Sequence, residues 1–76
     1  MSTMETMGRP KSHIGQRVRL LREDLLMTQE ELAEEAGLSR DQVSRIERGN
    51  ASPQFRTIKK LADALGTDAR ELARGR

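Results

Sequence analysis

The sequence has no cysteine, tryptophan or tyrosine, and only one phenylalanine and one histidine. Without cysteine, neither a disulfide nor a thiolate metal site can staple the fold, and the chain suits a reducing compartment. The single imidazole, His13, cannot build a metal site alone. The shortage of aromatic side chains also removes much of the residue set that favours strands. The longest apolar stretch, Leu25 to Met27, is far too short to cross a bilayer, and no apolar run of a secretion signal opens the chain. With no thiol, no metal cluster and no base placed beside a nucleophile, an enzyme is not expected, and no cofactor is implied. These absences predict a cytoplasmic protein of one domain without a membrane partner.

What the 76 residues do hold is charge, 34% of them, in a total that nearly cancels to +2. The two signs are separated. Residues 28–36 carry Glu30, Glu31, Glu34 and Glu35 with no base, whereas residues 53–60 carry Arg56, Lys59 and Lys60 with no acid. Such a chain can turn a basic face to a polyanion while its net charge stays modest, although a solvated helical surface has the same composition.

Residues 1–11 show no apolar period and predict a flexible basic arm, with a folded domain over 12–76. Ile14, Val18, Leu21 and Leu25 recur at helical spacing and predict a first helix over 14–25, with Ser12 or His13 near its start. Thr28 followed by Glu31 is a capping box, in which hydroxyl and carboxylate satisfy helix-end amides reciprocally. It opens a second helix over 29–36, with Leu32, Ala33 and Ala36 inward and Gly37 at its end. Ser39 and Gln42 form a second box for a helix over 40–48, with Val43 and Ile46 inward and Gly49 closing it. Ser52 and Pro53 predict a cap with proline in the first turn of a fourth helix, lined by Phe55, Ile58, Leu61, Ala62 and Leu65 up to Gly66. Asp68 and Glu71 start a short fifth helix whose inward residue is Leu72. The fold class is therefore all-α, a compact domain of five helices.

The turn Gly37-Leu38-Ser39 is too short for the second and third helices to pack antiparallel along their length, so they must cross steeply. Ala33 supplies the small side chain that such a crossing needs, and Leu32, Leu38, Val43 and Ile46 can fill the junction. The third helix keeps an outer face of Arg40, Asp41, Ser44, Arg45 and Arg48, without a large apolar residue. The turn alone leaves two readings open, a helical pair with a solvated face or a helix-turn-helix that enters DNA.

The run from Leu25 to Asn50, with Thr-Gln-x-x-Leu-Ala at 28–33, the turn Gly37, and Ile-Glu-x-Gly at 46–49, is followed by Ser52-Pro53 and Leu65-Gly66. In order and spacing it resembles the Cro and lambda-repressor type of helix-turn-helix protein, over 14–72. The resemblance implies a lambda-repressor-like domain that binds double-stranded DNA and acts as a transcriptional repressor or regulator. It implies that Arg40, Asp41, Ser44 and Arg45 face base edges, and that Gln29, Ser39, Arg48, Asn50, Ser52 and Gln54 approach the DNA backbone. Plain solvent exposure is the alternative for Arg48. It also implies a structural ion pair between Arg22 and Glu47. Arginine can donate two parallel hydrogen bonds to guanine, and aspartate can accept from cytosine, so a site with G·C pairs is expected. In the free protein Arg45 is expected to be unpaired in the main, with a minor share bonded to Asp41.

Two departures bear on this. Leu26 stands where the family usually has glycine, so the backbone there either takes another route or accepts strain. Glu71 replaces an apolar residue that supports dimer contact in some relatives. A weak homodimer, or a dimer formed on palindromic DNA, is nevertheless expected, through Leu65, Leu72 and Ala73 with Glu71 and Arg74 at the rim. In the arm, Gly8-Arg9-Pro10-Lys11 resembles the core of an AT-hook, with Met7 where another arginine would be favoured. Arg9 and Lys11 are thus candidates for minor-groove insertion, against a tail that attracts phosphate nonspecifically. The competing function is a protein-interaction module, such as an antitoxin that also represses its own operon.

Overall fold

The computed structural model describes residues 14–74, and these form five helices: α1 (Ile14–Asp24), α2 (Gln29–Ala36), α3 (Arg40–Glu47), α4 (Phe55–Leu65) and α5 (Ala69–Arg74). The arm with Arg9 and Lys11, and the residues Ser12 and His13, lie outside the described residues. Among the described residues no helix is long and apolar enough to cross a membrane.

The core is assembled by one side chain from each helix. Val18, Leu32, Val43, Leu61 and Leu72 are fully buried, and they come from α1 through α5 in turn. Ile14, Ala33, Ala36, Ile46, Ala62 and Leu65 complete the cluster. Burying each large aliphatic side chain contributes roughly 1.5–3 kcal/mol, which ties each helix to the shared core.

The helix ends follow the caps written in the sequence. The Thr28 hydroxyl accepts from the Glu31 amide at 3.0 Å, while the Glu31 carboxylate accepts from the Thr28 amide at 2.8 Å. Ser39 and Gln42 repeat the arrangement at 3.1 and 3.0 Å. Helices α1 to α4 all finish in one hydrogen-bonded form, in which two amides beyond the helix return to carbonyls three and five residues back. For α2 these are Gly37 to Glu34 and Leu38 to Ala33; for α1 they are Leu26 to Glu23 and Met27 to Arg22. The form needs a left-handed residue. Glycine provides it after α2, α3 and α4, whereas after α1 it is Leu26, at φ 57°. At Leu26 the backbone accepts the strain.

Four expectations need correction. Helix α1 stops at Asp24, and Leu25 is half exposed instead of continuing the core stripe. Helix α4 begins at Phe55 with Gln54 as its N-cap and no side-chain cap bond, so Ser52 and Pro53 precede the helix. Phe55 is 60% exposed, because the apolar stripe of α4 runs past the edge of the core in its first turn. The expected dimer face also changes: Leu65 and Leu72 are core residues at 6% and 0% exposure, leaving Ala73 and Arg74 exposed there. Glu71 lies 4.0 Å from Arg17 of α1.

Candidate nucleic-acid interface

Helices α2 and α3 are joined by Gly37-Leu38-Ser39, and their buried sides meet through Leu32, Ala33, Val43 and Ile46. That packing consumes the inner side of α3 alone. Arg40, Asp41 and Arg45 stand exposed on the other side and Ser44 is half-buried. The side chains of Ser39 and Gln42 are engaged in the cap, which holds the first turn of α3 rigid.

A polar network fixes α3 against the rest of the domain. Arg22 donates to both carboxylate oxygens of Glu47, Nε to Oε2 at 2.6 Å and Nη2 to Oε1 at 3.0 Å, and its Nη1 donates to the Met27 carbonyl at 2.7 Å. Gln29 Nε2 donates to Glu47 Oε1 at 3.0 Å. The end of α1, the following turn, the start of α2 and the end of α3 thus converge on one carboxylate. The hydrogen bond to Glu47 raises the Arg22 pKa above the ordinary guanidinium value, outweighing the opposing effect of burial. With side chains 12% and 4% exposed, the pair fixes orientation more than it adds net stability.

Two open clefts flank α3. One, of about 360 Å³, lies between α3 and the start of α4 and is lined in part by Gln42, Arg45, Ser52, Gln54 and Thr57. The other, of about 200 Å³, gathers Arg19, Arg22, Gln29, Glu47 and Arg48. Of the backbone candidates, Ser52 and Gln54 therefore share a cleft with Arg45, while Gln29 and Arg48 share the opposite one. Asn50 is exposed at the α3–α4 turn, its amide donating to the Arg45 carbonyl at 2.9 Å. Arg45 is not unpaired in the free protein: its Nε meets Asp41 Oδ2 at 3.2 Å, one helical turn away. Sequence reasoning missed Arg19, which stands one helical turn before Glu23 and bonds to it at 3.2 Å. The signal available was its place three residues before Arg22, on the side of α1 that meets the second cleft.

The model of the helix-turn-helix family matches residues 18–72. The chain belongs to the Cro and lambda-repressor type of helix-turn-helix family. Within it, the chain is 42% identical over 53 residues to the immunity repressor protein of Bacillus phage phi105, covering 70% of this chain and 37% of that protein. The chain therefore spans well under half of that repressor. Among solved structures it is similar to the restriction-modification controller protein C.AhdI from Aeromonas hydrophila, with 43% identity and a TM-score of 0.76 over 79% of this chain and 91% of the other. It is also similar to the P22 c2 repressor in complex with a synthetic operator, at 28% identity and a TM-score of 0.77 over 83% and 96% of the two chains. This helix-turn-helix chain is thus similar in fold to a repressor crystallised with a synthetic operator.

Proposed function

We propose that the chain is the sequence-specific DNA-binding domain of a transcriptional repressor, with α3 lying in the major groove. The observation that carries this reading is the division of α3: its inner side belongs to the core, and its outer side offers arginine and aspartate between two open clefts. Arg40, Asp41, Ser44 and Arg45 face base edges. On binding, Arg45 exchanges its exposed bond with Asp41 for two to guanine, an inexpensive exchange because an exposed ion pair contributes little.

The DNA backbone passes on both sides of α3. On one side it meets Gln29, Arg48 and the added Arg19, beside the amides of the first turn of α2, where the helix end favours an anion. Gln29 uses one amide proton on Glu47 and has a second for a phosphate oxygen. On the other side the backbone meets Ser39, Asn50, Ser52 and Gln54. The folded unit is 12–76, and Arg9 and Lys11 of the arm 1–11 enter the flanking minor groove.

One recognition helix reads few base pairs, so two copies pair on a near-palindromic site with half-sites about 34 Å apart. Selection of bound duplexes from a random pool tests the whole reading. A near-palindrome containing G·C pairs is expected. Recovery of unenriched sequence, with binding that vanishes in moderate salt, would reduce the chain to a nonspecific polycation and end the proposal.

A further inference from the structure

Leu25 and Leu26, 50% and 90% exposed, sit with Met27 and the acidic residues Glu31, Glu34 and Glu35 around an open groove of about 400 Å³. This groove, at the turn between α1 and α2, shares no lining residue with the two clefts beside α3. Its rim of carboxylates repels a duplex, so its occupant is not DNA. Leu26 is displayed there at the one left-handed position after a helix, among the described residues, that is not filled by glycine. Strain held at an exposed apolar side chain is a mark of use in binding.

The same chain carries the complement. Phe55, 60% exposed, opens α4, and Arg56, Lys59 and Lys60 are exposed beside it. Arg56 and Lys60 are one helical turn apart, and so are Glu31 and Glu35 on α2, so the two charged rows match in spacing. A phenyl ring with the methylene stems of the lysines can cover the leucines while the cationic heads reach the carboxylate rim.

We propose that the groove at the α1–α2 turn of one copy receives the Phe55 end of α4 from a second copy. The two surfaces differ, and we take them as joined head-to-tail, which leaves a free groove at one end and a free Phe55 at the other. Copies joined in this way add in series. The contact is separate from the symmetric pairing across a palindrome, and it does not depend on which residues read bases.

Sedimentation of the full chain without DNA tests it. The average mass should rise with concentration without a plateau at two copies. It should fall towards the monomer near 1 M salt, where the screening length is about 3 Å. Glu34→Lys with Glu35→Lys should weaken association about tenfold, and Lys59→Glu with Lys60→Glu should do the same. A chain with all four reversals keeps its net charge and should associate again. Leu26→Gly should weaken association while the helical circular dichroism is retained, which separates loss of the docking surface from loss of the fold. A monomer at every concentration overturns the proposal. So does an association that survives both Leu26→Gly and the paired reversals, or a fourfold reversal that stays monomeric.

Discussion

Gly15 of α1 lies so close to the backbone carbonyl of Ile46 in α3 that a methyl group on its α-carbon would overlap the oxygen, with the Glu47 carbonyl next to it. The first helix therefore rests directly on the last carbonyls of α3, and the obstruction is backbone that cannot swing aside. In an ordinary helix, replacing glycine by alanine stabilises by up to about 1 kcal/mol. Here Gly15→Ala should instead destabilise by about 1–3 kcal/mol, the range for overpacking. Thermal unfolding decides by sign, since a raised Tm would mean that the two helices do not meet at Gly15.

The Arg22–Glu47 pair makes a second prediction about stability. Glu47→Ala leaves a largely buried guanidinium without its carboxylate and should cost about 3 kcal/mol. Replacing both partners, Arg22→Met with Glu47→Leu, should recover most of that loss in urea denaturation. It also removes the acceptor that holds Gln29, so DNA binding should stay weak although the fold recovers. Full recovery of binding in the double variant would deny the network its orienting role.

Arg45→Ala should relax discrimination at one base pair by about 1–3 kcal/mol, the loss of a two-bond contact. Gln29→Ala should weaken all duplexes alike. Binding measured on a panel of single-base variants distinguishes the two: a uniform loss for Arg45→Ala would move that residue to the phosphates, and a changed base preference for Gln29→Ala would move that one to the bases.

Leu26→Gly should raise the free energy of unfolding by about 1 kcal/mol, because it removes the steric penalty of a left-handed leucine without opening the core. Chemical denaturation measures this directly. A loss of stability would mean that the exposed leucine packs in solution against something that its 90% exposure does not include.

The ends of helices were the most legible part of the fold, because a cap is a local transaction. Thr28 with Glu31 and Ser39 with Gln42 need only neighbours three residues away, and both boxes stand where their spelling puts them. Ser52-Pro53 has the same local spelling, yet the helix waits for Phe55, since a good cap residue also serves an extended segment. Periodicity found the inner faces but not their limits. Leu25 and Phe55 continue their stripes by spacing, and both emerge into solvent because a stripe does not record where its partner helix ends. Gly15 left no mark in the pattern at all, for a close backbone approach is signalled by a missing side chain. The meeting of Arg22, Gln29 and Glu47 spans 25 residues of chain, and no local spacing predicts it. The pairing of Arg22 with Glu47 entered through family resemblance, and the part played by Gln29 emerged only from the folded chain.

Helix α3 gives the core Val43 and Ile46 and gives its own first turn Ser39 and Gln42. Arg40, Asp41 and Arg45 stand outside that debt to the fold, and Ser44, half-buried, shares in it. The three exposed positions form a cassette: they can be rewritten together, and the helix will still cap and pack as before. Under the proposed reading, a lineage of such chains can change its targets without passing through unfolded intermediates, and an engineer can transplant a reading face by exchanging those exposed side chains. Foldability and the proposed address would then vary on different residues of one short helix.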